Sequence, residues 1–81
     1  MGILDRLFGR AGGNGSSAAQ AVQVGSIGED YQWIRRHCPG FQPQMQMLQD
    51  IEGKPYDIHK LENAEGVERT VYFDISRFFG K

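Results

Sequence analysis

Lys54-Pro55-Tyr56-Asp57-Ile58-His59-Lys60-Leu61-Glu62-Asn63-Ala64-Glu65-Gly66-Val67-Glu68-Arg69-Thr70-Val71-Tyr72-Phe73-Asp74-Ile75-Ser76 is the stretch that decides the fold. Tyr56 and Ile58 recur at a spacing of two before Asn63-Ala64-Glu65-Gly66, and Val71, Phe73 and Ile75 do so after it. That is the period of strands with one buried face. Asn63 brings a side chain that bonds its own turn and Gly66 a backbone free to take positive φ, so the stretch reads as a β-hairpin. Setting Glu62 opposite Val67 across a four-residue loop pairs Ile58 with Val71 and Tyr56 with Phe73, and keeps all of them on the core side. A slip of one residue would put Ile58 opposite Tyr72 and mix the faces.

Working outward, Phe41 to Ile51 alternates with regularity, Phe41, Met45 and Met47 on one parity and Gln42, Gln44 and Gln46 on the other. This predicts a strand with one buried face. Pro43 has no backbone N–H to give, which puts the strand at an edge. Glu52-Gly53 suits a tight two-residue turn that pairs Ile51 with Lys54, Gln49 with Tyr56 and Met47 with Ile58. Further back, Ser26-Ile27-Gly28-Glu29 matches a capping box, so a helix starts there. Ile27, Tyr31, Ile34 and Cys38 then form an apolar stripe to lay on the sheet, with Trp33 beside it and half covered. Arg35, Arg36 and His37 favour the negative end of the helix dipole, and Pro39-Gly40 stops it. The fold class expected is α+β: one N-terminal helix on a three-stranded antiparallel meander, αβββ, over residues 26–81.

Residues 1–25 read as a flexible, disordered tail. Gly9 to Ser17 is mostly glycine and serine, and Val22 and Val24 alternate but are read here as linker rather than strand. In residues 1–10, Ile3, Leu4, Leu7 and Phe8 fall on one side of a helix too short to be stable alone. Such a segment forms when a membrane surface or a partner groove covers it, and a single copy would hold lipid weakly. Phe78 and Phe79 follow the last strand, where no room is left for a second helix, and are expected to close one end of the core.

Composition narrows the classes. Eighty-one residues suffice for one small domain. Cys38 is the single cysteine, so no disulfide is available and a reducing cytoplasm is the expected compartment. The opening Met1-Gly2-Ile3-Leu4-Asp5-Arg6 lacks the apolar core of a secretory signal, and no run approaches the roughly 20 apolar residues of a membrane span. A net charge of −1 with both signs interspersed gives no bulk pull toward nucleic acid.

With one sheet face under the helix, function is expected on the other. That face is expected to show Gln44, Gln46, Leu48, Asp57, His59, Leu61 and Tyr72, with Trp33 at its margin: polar ground with aromatic and apolar anchors, as interface centres have. This predicts a non-enzymatic interaction module that binds a protein partner or a second copy of itself. Asp57, His59 and Asp74 could cluster, but those residue types fall on any polar strand face, so no catalytic residue, metal or cofactor is assigned. Two histidines and a lone cysteine make no zinc signature. RNA binding is the rival class, since helix then three strands is the front half of a double-stranded RNA-binding domain; the terminal basic helix of such domains is missing here.

The opening Met1-Gly2-Ile3-Leu4-Asp5-Arg6-Leu7-Phe8-Gly9, with Gly53-Lys54-Pro55-Tyr56-Asp57 and the ending Thr70-Val71-Tyr72-Phe73-Asp74-Ile75-Ser76-Arg77-Phe78-Phe79-Gly80-Lys81, resembles short bacterial proteins of unknown function. The resemblance implies a bacterial source and a compact domain. It implies no activity and assigns no functional residue.

Overall fold

The computed structural model describes residues 13–79. Ile3, Leu4, Leu7 and Phe8, and with them the expected tail contact to a membrane or partner, lie outside the described residues. One helix, α1 (Ile27–His37), and four strands, β1 (Val22–Gln23), β2 (Phe41–Ile51), β3 (Lys54–Asn63) and β4 (Glu68–Asp74), make an α+β domain. The sheet runs in the order β1-β4-β3-β2. The antiparallel meander β2-β3-β4 is as expected, and β1 joins it parallel to β4, pairing Val22 with Phe73.

The first hairpin keeps the expected register, with Ile51 opposite Lys54, Gln49 opposite Tyr56 and Met47 opposite Ile58. Its turn has φ of 51° at Glu52 and 82° at Gly53. Two positive values in succession match the twist of the strands they join. In the second hairpin the register is one residue away from the expectation: Ile58 faces Tyr72, His59 faces Val71 and Asp57 faces Phe73. The turn explains the slip. Asn63 ends β3 with its N–H donating to the Val67 carbonyl at 3.0 Å, and its Oδ1 accepts from the N–H groups of Glu65 (3.0 Å) and Val67 (2.8 Å). Only Ala64, Glu65 and Gly66 remain as the loop, with Gly66 at φ 84°. This is the three-residue hairpin whose last loop residue is left-handed.

The faces therefore mix. Toward α1 lie Asp57, His59 and Leu61 of β3 with Val71 and Phe73 of β4; toward the other side lie Tyr56, Ile58 and Tyr72. In β2, an irregularity between Pro43 and Met45 changes the parity, so Phe41 packs with the helix-side core while Met47 packs on the far side. The helix-side core joins Val22, Val24, Ile34, Cys38, Leu61, Val71, Phe73 and Ile75, with Trp33, Phe41 and Phe78 against it. The far side is a thinner cluster of Tyr56, Ile58 and Ala21, flanked by Ala18, Met47, Ile51 and Tyr72. Phe78 thus meets the expectation for the chain's end, whereas Phe79 stands 47% exposed.

The helix is also rotated from its expected setting. Ile34 and Cys38 are buried, but Ile27 is 70% exposed and Tyr31 37%, while Asp30 is 1% exposed. The buried line is 30-34-38, spaced by one turn throughout. The capping box forms in part and in altered form: Ser26 is the cap residue but its hydroxyl makes no cap bond, and Glu29 Oε1 accepts from the Gly25 N–H at 2.8 Å.

Residues 13–25 belong to the packed unit instead of a tether. Tyr72 donates its N–H to the Gly15 carbonyl at 2.8 Å, and a 3-10 turn, Ala18–Gln20, leads into β1. Gly15 has φ +82°, and a Cβ there would stand 2.6 Å from Val71 Cγ1, so only glycine fits. Val22 and Val24 fill the core because β4 offers them an unpaired edge.

Candidate functional site

The slipped register places two polar side chains of β3 under α1, and the rotation of α1 turns Asp30 toward them. Asp30, Asp57 and His59 are 1%, 5% and 0% exposed. His59 Nε2 lies 3.3 Å from Asp30 Oδ2 and 3.3 Å from Asp57 Oδ2. Gln46 of β2 donates from Nε2 to both oxygens of Asp57 at 2.9 Å, and the Tyr31 hydroxyl donates to Gln46 Oε1 at 3.1 Å. The imidazole is wedged edge-on between the rings of Tyr31 (centroids 5.3 Å apart) and Phe73 (5.4 Å). Its position is thus fixed by packing as well as by polar contacts.

Among the described residues, two buried polar atoms have no hydrogen-bond partner, Asp30 Oδ1 and His59 Nδ1. Each such atom costs about 1–3 kcal/mol in a folded interior. Burial pushes the Asp30 carboxyl up to about 6, with the neighbouring Asp57 adding to the rise and His59 opposing it. For His59, burial is the largest influence and works to lower the pKa. The hydrogen bond to Asp30 and the charges of Asp57 and Asp30 together outweigh it, and the imidazole is held above its ordinary value.

A cleft of about 180 Å³ opens beside this cluster, with Asp30, Asp57 and Gln46 on its inner wall and Ile75 and Phe78 at its sides. Its rim is apolar: Ile27 (70% exposed), Leu48 (62%) and Phe79 (47%) all line it. His59 lies behind the two carboxylates and does not line the cleft.

The structure divides the residues expected to form one open surface. Asp57, His59 and Leu61 are buried under α1 and cannot be a docking face, because the three-residue turn sets the register that turns them inward. Tyr72 is half-buried on the opposite face, beside Ile58. Gln44 is exposed at the irregularity of β2, and Gln46 and Leu48 follow on the helix side. Trp33 packs against His37 and, edge-on, against Phe73 (5.7 Å), so it serves the core. Asp74 does not join Asp57 and His59. It faces Tyr56 on the far side, where Ser76 bonds it through N–H (2.9 Å) and hydroxyl (2.7 Å) and Lys54 reaches it at 3.2 Å. Asp30 takes its place in the cluster. The sequence carries a signal for Asp30: it stands four residues before Ile34 and eight before Cys38, an acid in line with the buried side of the helix. Cys38 is buried, which pushes its thiol up against a small opposing effect of Arg69 and leaves it inert.

Along its outer edge β2 pairs with no strand among the described residues. Its eleven residues include one charged side chain, Asp50 near the end. Among the described residues, no helix is long and apolar enough to cross a membrane. No protein-family model, curated protein or solved structure matches the chain.

Proposed function

We propose that this protein is a non-enzymatic interaction module that binds an extended strand along the free edge of β2, and that the strand it pairs with is β2 of a second copy. The observation that carries this reading is the edge itself. A long edge strand is normally guarded by charges, above all lysine, by proline or by a bulge, and here Pro43 and the irregularity after it guard only the first part of β2. β2 offers glutamines and methionines, with Met45 52% and Leu48 62% exposed. About half of its residues turn N–H and C=O groups outward, and each main-chain bond made there is worth about 0.5–1.5 kcal/mol net. A two-fold pairing sets the strand against itself, and because Asp50 sits at one end, no like charges meet in the middle. The apolar rim of the cleft continues from this edge through Leu48, giving the paired strands a surface to cover.

The non-enzymatic part of the reading rests on His59. A general base must reach the proton it takes. This imidazole is fully buried, walled by two aromatic rings and screened by two carboxylates.

Light scattering of the full chain after size exclusion, over a range of concentrations, tests the proposal. The expected mass is that of two chains, falling to one for a Gln44→Lys/Met45→Lys variant with an unchanged circular dichroism spectrum. A wild-type chain that stays monomeric at the highest concentration refutes self-pairing.

A further inference from the structure

We propose that Asp30, Asp57 and His59 form a binding site for one divalent cation of the zinc class. This goes beyond the interaction reading and concerns a different part of the molecule. The donor types fit such an ion: imidazole nitrogen suits zinc, and carboxylate oxygens complete sites for it. One ligand atom from each residue, all three drawn from buried groups, can be chosen so that the atoms lie within 4.8 Å of one another.

The distances, long for hydrogen bonds, also suit ligands around an ion. Bonds of about 2.0–2.1 Å to a tetrahedral zinc place neighbouring ligand atoms about 3.3 Å apart. His59 Nε2 stands 3.3 Å from an oxygen of each aspartate. A charge-assisted N–H···O bond closes to about 2.7–2.9 Å, and a single N–H cannot serve two oxygens fully. A dication between two carboxylates and a neutral imidazole also brings the buried charge to zero, where the carboxylates alone leave it negative.

A second observation points the same way. Asp30 is 1% exposed, lines the cleft, and has an oxygen with no hydrogen-bond partner. A native interior rarely leaves such an atom idle unless something else engages it. Around Asp57 the neighbouring groups are arranged as outer partners of a ligand, Gln46 gripping both of its oxygens at 2.9 Å and Tyr31 holding Gln46, while His59 Nδ1 has no such partner among the described residues. Such partners fix a carboxylate for its metal. The cleft, lined by Asp30 and Asp57, supplies a route in.

The test uses the full chain, stripped with chelator and titrated with Zn²⁺ by calorimetry, with Co²⁺ absorption as a readout of coordination. One ion per chain is expected, with visible bands of four-coordinate cobalt and a melting temperature that rises with free Zn²⁺. Asp57→Asn should abolish binding. Gln46→Ala, at an exposed position where the fold is not at risk, should weaken it by about 10- to 100-fold. Absence of stoichiometric binding would overturn the proposal. So would wild-type affinity in Gln46→Ala, even if Asp57→Asn fails to fold.

Discussion

The two faces of β3 invert the usual division of labour. On the helix side, under the thicker layer, stand Asp57, His59 and Leu61; on the far side, under little more than Ala18 and Ala21, stand Tyr56 and Ile58. A reading by polarity alone assigns each set to the opposite face. The difference teaches that a turn can outrank the hydrophobic pattern. Asn63 fixes four backbone groups through its own side chain and main chain, and the register that follows carries two polar residues inward. The cost is met because those residues find one another and Asp30.

The same contrast appears in the acids. Burial drives Asp30 upward on the helix side. On the far side burial also acts to raise Asp74, but the bonds from Ser76 and the charge of Lys54 prevail and hold it below its ordinary value.

The sharpest break of the comparison is His59→Ala in chelated buffer. Removing the imidazole takes from two buried carboxylates the partner they share, Asp57 keeping only its bonds from Gln46, and a loss of about 3–5 kcal/mol in urea unfolding is expected. A loss below that of Ile58→Ala would mean that the polar side is only tolerated. Ile58→Ala itself, on the thin far side, is expected to cost about 2 kcal/mol, the low end for such truncations, because its neighbours can settle inward. Next in size is Asn63→Ala, about 1–2 kcal/mol from the loss of its two turn bonds. Amide exchange should then quicken in β4 before β2; equal protection in the two strands would show that the turn does not govern the register.

The smallest effect concerns pH. Asp74, held low, contributes stability that is present above the unfolded carboxylate value of 3.8 and lost as pH falls through its lower folded value. Ser76→Ala removes the hydroxyl bond to it, leaves the backbone N–H bond in place, and should cost about 1 kcal/mol at pH 7. The gap between variant and wild type should close in acid, where Asp74 is protonated folded or unfolded. A gap that persists there would assign the loss to packing.

Much of the frame was legible. The strand of Phe41–Ile51, the helix stop at Pro39-Gly40 and the first hairpin with its register follow from local chemistry, because Glu52-Gly53 admits only one short turn. The second turn was ambiguous. Asn63-Ala64-Glu65-Gly66 serves a four-residue loop and a three-residue loop equally well until Asn63 is seen bonding Val67. β1 was illegible for another reason: a two-residue strand has no pattern of its own and exists by leaning on β4. For the site, Asp57 and His59 were recognised as chemically suggestive but set on the wrong face, an error inherited from the turn. Asp30 is masked in the sequence because Ile27 and Tyr31 offer a more apolar stripe than the line 30-34-38 that is buried.

The way the chain enters the sheet has a bearing on how far any assembly can grow. Gly15 and β1 occupy the outer side of β4, so of the two margins of the sheet only β2 is long and unpaired among the described residues. Two copies joined there would each spend that margin on the other. Polymerisation needs a donor and an acceptor left over after every addition, and among the described residues such a pair leaves only the two-residue β1 at each margin. In the proposed pairing the segment from Gly13 through β1 would thus act as a terminator, holding two copies to a closed dimer and away from fibres.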